Sequence, residues 1–275
     1  MHGLSSIATQ CHVEESTACS EAFLPALSPT ETARLSCVPM TTVDWSGVRD
    51  RVLSLGKAPG ADEVFGSEGH QWVLEDPLSP QELLEVEEQM AVELPEDYRE
   101  FLLHVGAGGA GPSYGIFVLK KTATEGWRWF NDGRGLVDHS RIGKPFPNPL
   151  HASADDLQDA LDADHPDEYP ERYPDPNSEE AKAAKRAWAV RSRQLDEDLR
   201  TTGALPVCHH GCGSTEWLAI TGPEQGTMWC DPEGDGVHLI PDHLDDDPEG
   251  HRISFGQFYF AWLDEAEHAV GTPTT

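Results

Sequence analysis

The sequence predicts an α+β domain with a mostly antiparallel sheet flanked by helices. Three observations carry that expectation. Amphipathic helical stretches come first, between Asp44 and Val105; short β-rich runs follow, each bounded by Gly, Pro or Asp turns; an aromatic-faced helix then closes the pattern before the last few residues. Helices and strands segregated along the chain favour an α+β architecture over the alternating order of a parallel sheet.

The first helix is read from Trp45, Val48, Val52 and Leu55, which recur at helical spacing and stop at Gly56. The second opens at LSPQELLEVEEQM with a capping box. Ser79 accepts from the backbone at Glu82, Pro80 suits the first helical position, and Glu82 returns the bond, while Leu83, Val86 and Met90 share one face. The third, LPEDYREFLLHVG, carries Pro95 at its start and Glu96 and Asp97 against the positive helix end. Tyr98, Phe101, Leu102 and Val105 form an i, i+3, i+4, i+7 core stripe, and Gly106 is expected to supply a left-handed stop.

Strand-like runs follow at GIFVL (115–119) and WRWF (127–130), and later at PVCHHG, STEWLAI, GTMWC and GVHLI. Between the two groups, residues 151–204 are rich in carboxylates and prolines and hold a long helical stretch. Ser178 is its N-cap, Glu179 and Glu180 lie in its first turn, and Gly203 lies past its end; Ala184, Trp188, Leu195 and Leu199 give it a thin apolar face. This segment reads as an acidic helical insertion over the side of the β core. ISFGQFYFAWLDEAEHA closes the domain, with Ser254 and Gln257 as a second capping box and Phe255, Phe258, Tyr259, Trp262 and Ala266 as its core face. A single domain is expected over 44–268, followed by a tail at 269–275. Residues 1–43, rich in Ser, Thr, Ala and Pro and holding Cys11, Cys19 and Cys37, read as a disordered extension. Met40, just ahead of the patterned region, is a second candidate start.

Acidic side chains outnumber basic ones by 49 to 19, a formal charge of -30 over 275 residues. Such a chain repels phosphate backbones and anionic lipid, whose contacts are built from Lys and Arg, so nucleic-acid and membrane-surface binding are poor readings. A basic protein partner fits the field, and solubility alone is the competing explanation. No stretch approaches the roughly 20 apolar residues of a membrane helix, and the N-terminus lacks the basic and apolar regions of a secretory signal. Six cysteines in a chain this long are too sparse for a disulfide framework, which points to a reducing cytoplasm.

Cys208, His210, Cys212 and Cys230 are the most metal-like group: thiolate and imidazole ligands at C-x-x-x-C spacing, with a further thiol on a neighbouring strand, suit tetrahedral zinc. The alternative is a tight β turn set by Gly211 and Gly213, with the cysteines buried as small hydrophobes. The glycines from Gly106 to Gly111 match a dinucleotide fingerprint in spacing, but they leave a helix and enter a strand, the reverse of what phosphate binding needs; they read as a helix stop and flexible bend ending at Pro112. Asp231-Pro-Glu233-Gly-Asp235-Gly236 resembles the start of a calcium loop, with Asp242 at the twelfth place, yet strand-like flanks favour a β turn. No nucleophile elbow, metalloprotease, P-loop or kinase signature occurs, so no catalytic residues are expected.

ELPEDYREFLLHVGAGGAGPSYGIFVL resembles the signature of the SUKH superfamily, which includes fungal cell-wall-assembly regulators of the Smi/Knr type and many bacterial proteins. The match lies in Leu94, Pro95, Tyr98, Phe101, Leu102 and Gly106. CHHGCGSTEWLAITGPEQGTMWCDPEGDG resembles the family's paired strands, and SFGQFYFAWLDEA its closing helix. The resemblance spans roughly Asp44 to His268 outside the insertion. It implies an α+β fold, no shared catalytic residues and a binding role, since many bacterial relatives are immunity proteins that cover toxins, often nucleases. The expectation is therefore a non-enzymatic, cofactor-free cytoplasmic protein whose acidic surface neutralises a basic toxin. Its candidate contacts are Asp231, Glu233, Asp235, Asp245, Asp246 and Asp247, with Trp229 either an exposed anchor or a core residue. A zinc-stabilised module or enzyme using Cys208, Cys212 and Cys230, or a regulatory scaffold of the fungal kind, are the alternatives.

Overall fold

The computed structural model describes residues 43–131, 134–135, 142–146, 175, 177–187, 202–211, 213–231, 239–245 and 247–271. Residues 1–42 of the expected 1–43 extension, most of the acidic insertion, and Cys212, Glu233, Asp235 and Asp246 lie outside the described residues, while Val43 packs against the main core.

Helices α1 (Val48–Leu55), α2 (Ser67–His70), α3 (Pro80–Met90) and α4 (Glu96–His104) precede strands β1 (Val118–Thr122), β2 (Gly126–Asn131) and β3 (Arg134–Gly135). Residues 179–187 are helical (α5). Strands β4 (Ala204–Gly211), β5 (Ser214–Ala219), β6 (Met228–Asp231) and β7 (Ile240–Pro241) follow, and α6 (Phe255–Gly271) closes the domain. The strands form two antiparallel sheets, β1-β2-β3 and β4-β5-β6-β7. The sheets meet where Phe117 N donates to Val207 O at 2.7 Å. This is the α+β class the sequence predicts.

Local signals set the helix ends. The capping box at Ser79 forms, with Glu82 N bonded to Ser79 Oγ and Ser79 N to Glu82 Oε2. Its counterpart at α6 forms between Ser254 and Gln257. Ser178 Oγ accepts from Ala181 N at 3.1 Å, as its N-cap role requires. Gly106 departs from expectation. Val105 is the C-cap of α4, and Gly106 has no left-handed φ; it is required because a Cβ there would lie 2.6 Å from Glu75 O. The loop beyond is a packed connection and not a flexible bend: Gly109 and Ile116 exchange backbone bonds at 2.9 and 2.7 Å, and Ala110 N reaches Val73 O at 2.7 Å.

The main core lies between the helices and one face of the sheets. Tyr98, Phe101, Leu102 and Val105 are fully buried, as the stripe predicts, and the rings of Tyr98 and Phe101 meet Phe255 and Tyr259 of α6. Trp45 packs on Phe101, with ring centroids 5.7 Å apart. Two polar tips pair inside: Trp129 Nε1 donates to Tyr98 Oη at 2.8 Å, and Tyr259 Oη donates to Ala110 O at 2.9 Å, whereas the buried indole nitrogens of Trp45 and Trp262 have no hydrogen-bond partner among the described residues. Asp97 does more than offset the helix dipole. It is buried and accepts Ser254 Oγ at 2.5 Å, tying the start of α4 to the start of α6. Gly256 keeps that junction close, since a Cβ there would stand 2.8 Å from Asp97 Oδ2.

A smaller apolar cluster of Phe146, Ala204, Trp217, Ala219, Trp229 and Leu239 covers the opposite face of β4–β7. Alternation explains the split: Trp217 and Trp229 point one way, while their neighbours Leu218 and Met228 enter the main core. The second sheet is thus covered on both faces.

Candidate functional site

The chemistry-bearing residues of the second sheet converge through strand register. Cys208 pairs with Glu216 and Glu216 with Cys230, so a carboxylate stands between two thiols on one row of three strands. All three are buried. Adjacent strands lie about 4.8 Å apart, which separates the two cysteines by roughly 10 Å, beyond the reach of a disulfide; both are free thiols. Burial, reinforced by Glu216, pushes both thiols well above their ordinary range, so they stay protonated. Burial and the same Glu216 also raise the carboxyl of Asp242.

His210 completes the row. Its Nε2 lies 2.6 Å from Glu216 Oε1, and its Nδ1 contacts Ser113 Oγ. A carboxylate can only accept, so Nε2 donates; in the neutral imidazole Nδ1 then accepts the Ser113 hydroxyl. Hydroxyl, imidazole and carboxylate in sequence have the order of a nucleophilic relay. The setting is structural, however. Ser113 is only 8% exposed, and a Cβ on Gly66 would stand 1.9 Å from its carbonyl oxygen. The three residues fasten the glycine-rich loop to β4 and β5.

Two of the expected contact residues are not at the surface. Trp229 is fully buried: its ring packs on Phe146 at 5.2 Å, the Arg252 guanidinium covers it at 5.1 Å, and Nε1 donates to Thr227 Oγ1. It is a core residue and not an exposed anchor, because β6 is an interior strand covered on both faces. Asp231, on the same strand as Trp229, pairs with Thr215 of β5 and is 1% exposed. Asp245 is exposed. Asp247 is half-buried and organises the turn before α6: its carboxylate accepts from His251 N at 2.7 Å, His251 Nδ1 at 2.8 Å and Glu249 N at 3.0 Å. Those bonds hold its pKa below the usual carboxylate range. The surface acids the structure brings together are therefore Asp245, Asp247 and Glu249, on one turn.

Among the described residues no group of three His, Cys, Asp or Glu side chains is placed to hold a metal ion; Cys212 lies outside them. No helix among them is long and apolar enough to cross a membrane. Sequence reasoning missed Glu216 and Ser113. Glu216 looks like one more carboxylate in an acidic chain, and Ser113 meets His210 only across 97 residues of sequence.

The chain thus carries helices on an antiparallel two-sheet frame, with a polar fastening that ties the glycine-rich loop to the second sheet. The family model of the SMI1 / KNR4 family (SUKH-1) matches residues 77–250, more than half of the chain, and the protein belongs to that family. It is also similar to the uncharacterized protein YnaB of Bacillus subtilis (strain 168), 31% identical over 103 residues, covering 32% of this chain and 70% of the relative. No solved structure matches the chain significantly.

Proposed function

We propose that the protein is a non-enzymatic cytoplasmic immunity protein that neutralises a cognate, basic bacterial toxin through an acidic surface. The observation that carries this reading is the excess of 49 acidic over 19 basic side chains on a domain of the SUKH-1 family. A nuclease toxin needs a cationic groove to hold phosphate, and an anionic inhibitor can occupy that groove. The turn holding Asp245, Asp247 and Glu249 is one part of that surface among the described residues; Asp246 adjoins it in sequence, and Glu233 and Asp235 precede it. Fields of this kind raise association rates and reject anionic partners. Co-expression with the product of the neighbouring toxin-like gene tests it. Growth rescue and a co-purifying complex are expected; unrelieved toxicity with no complex overturns the proposal.

A further inference from the structure

A groove of about 370 Å³ lies between α2, the glycine-rich loop and the start of β1. Its floor is backbone. Gly109 and Gly115 hold φ of 108° and 101°, and a Cβ on them would meet Val73 O at 2.2 Å and Gly109 O at 2.7 Å, so no side chain fits there. One wall is a row of rings. Tyr114 stacks on His209 with centroids 5.0 Å apart and an 18° interplanar angle, Phe65 abuts Tyr114 at 5.7 Å, and Phe117 lies 5.9 Å from His209. Val73 lines the groove and is 59% exposed, and Phe65 beside it is 48% exposed. Two of the four exposed large apolar side chains among the described residues thus gather here, in a domain that otherwise buries its aromatics. Glu75 supplies a carboxylate to the same groove and holds Lys120 at 2.8 Å.

An aromatic wall, an exposed aliphatic edge and a carboxylate together match one side chain best. Arginine has a methylene stem for apolar surface and a planar, weakly hydrated cation that stacks on rings and pairs with carboxylates. A second copy of this chain is a poor occupant, because two bodies each carrying a charge of -30 repel. We propose that the groove takes an arginine-bearing segment of the partner, with the stem against Val73, the guanidinium at the Tyr114–His209 row and Glu75 as counter-charge, the guanidinium displacing Lys120 from its solvent-accessible pair with Glu75. This inference rests on the partner being a basic protein and gives it a second contact, separate from the acidic turn.

The full-length chain, labelled for NMR, is titrated with N-acetyl-arginine amide, N-acetyl-norleucine amide and N-acetyl-glutamate amide. The arginine probe should produce saturable shifts at Gly109, Gly115 and Tyr114, stronger than either control. Val73→Ala, at an exposed position, and Glu75→Gln, at a half-buried one, should weaken it several-fold, and Tyr114→Ala by about tenfold, while Tyr114→Phe retains it. Equal shifts with norleucine or glutamate, no shifts at the groove, or indifference to Glu75→Gln would overturn the proposal. The probe replaces the toxin, so such a result removes the groove and leaves the immunity reading standing; failed growth rescue does the converse.

Discussion

The helical side of the domain and the far end of its second sheet are held together by different means. Around α4 and α6 the contacts are aromatic and nearly continuous, with Tyr98, Phe101, Phe255 and Tyr259 fully buried and their few polar atoms paired. At the end of β4–β6 the buried side chains are Cys208, Glu216 and Cys230, with His210 and Ser113 above them. The first region is tied by dispersion and apolar burial, which tolerate local relaxation. The second depends on a few hydrogen bonds, each expensive to leave unmade. The stable frame and the loop that forms the groove are therefore under separate control.

Phe101→Ala should break the helical side most severely. The ring is fully buried among four aromatic neighbours, and its loss should cost about 4 kcal/mol, read as a lower urea midpoint. Glu216→Ala should break the sheet end, at about 3 kcal/mol, since it removes a buried side chain and strips the half-buried His210 imidazole of its acceptor. The two variants differ in kind: the second should also release the loop around Ser113, seen as faster amide exchange at Gly109 and Gly115, whereas the first should lower protection across the whole domain. Equal protection of the loop in both would erase the distinction.

An effect of comparable size is expected from pH, at His70, whose ring packs on Trp72 and Trp262. Burial pulls His70 down to about 4 from 6.5, against a weak opposing pull from Glu68. Its Nδ1 accepts from Trp72 N, as a neutral ring requires. Below pH about 6.5 the unfolded chain takes up a proton that the folded chain refuses until about pH 4. This contribution is therefore complete above 6.5 and is lost as pH falls through that window, by up to about 3 kcal/mol. His70→Gln should flatten the stability profile between pH 6.5 and 4 relative to the parent; an unchanged slope would show that His70 is not the group responsible.

The same division explains what the sequence reveals. Capping boxes at Ser79 and Ser254 and the stripe from Tyr98 to Val105 are local patterns, and each forms where its spacing places it. The α+β class follows from them and from the turn-bounded strands. The site is less legible because it depends on pairings distant in sequence. Ser113 meets His210, Asp97 meets Ser254, and Gly106 is required by a carbonyl from Glu75 and not by its own φ. Trp229 shows the same limit: its exposure depends on whether both faces of β6 are covered, which Phe146 and Arg252 decide.

The affinity of the full chain for a cognate toxin across a salt series tests whether an acidic surface binds a basic partner. Binding should weaken steeply as salt rises. With Asp245→Lys and Glu249→Lys the affinity should fall about tenfold and the salt dependence should become shallower. Affinity that is independent of salt and untouched by these reversals would contradict it.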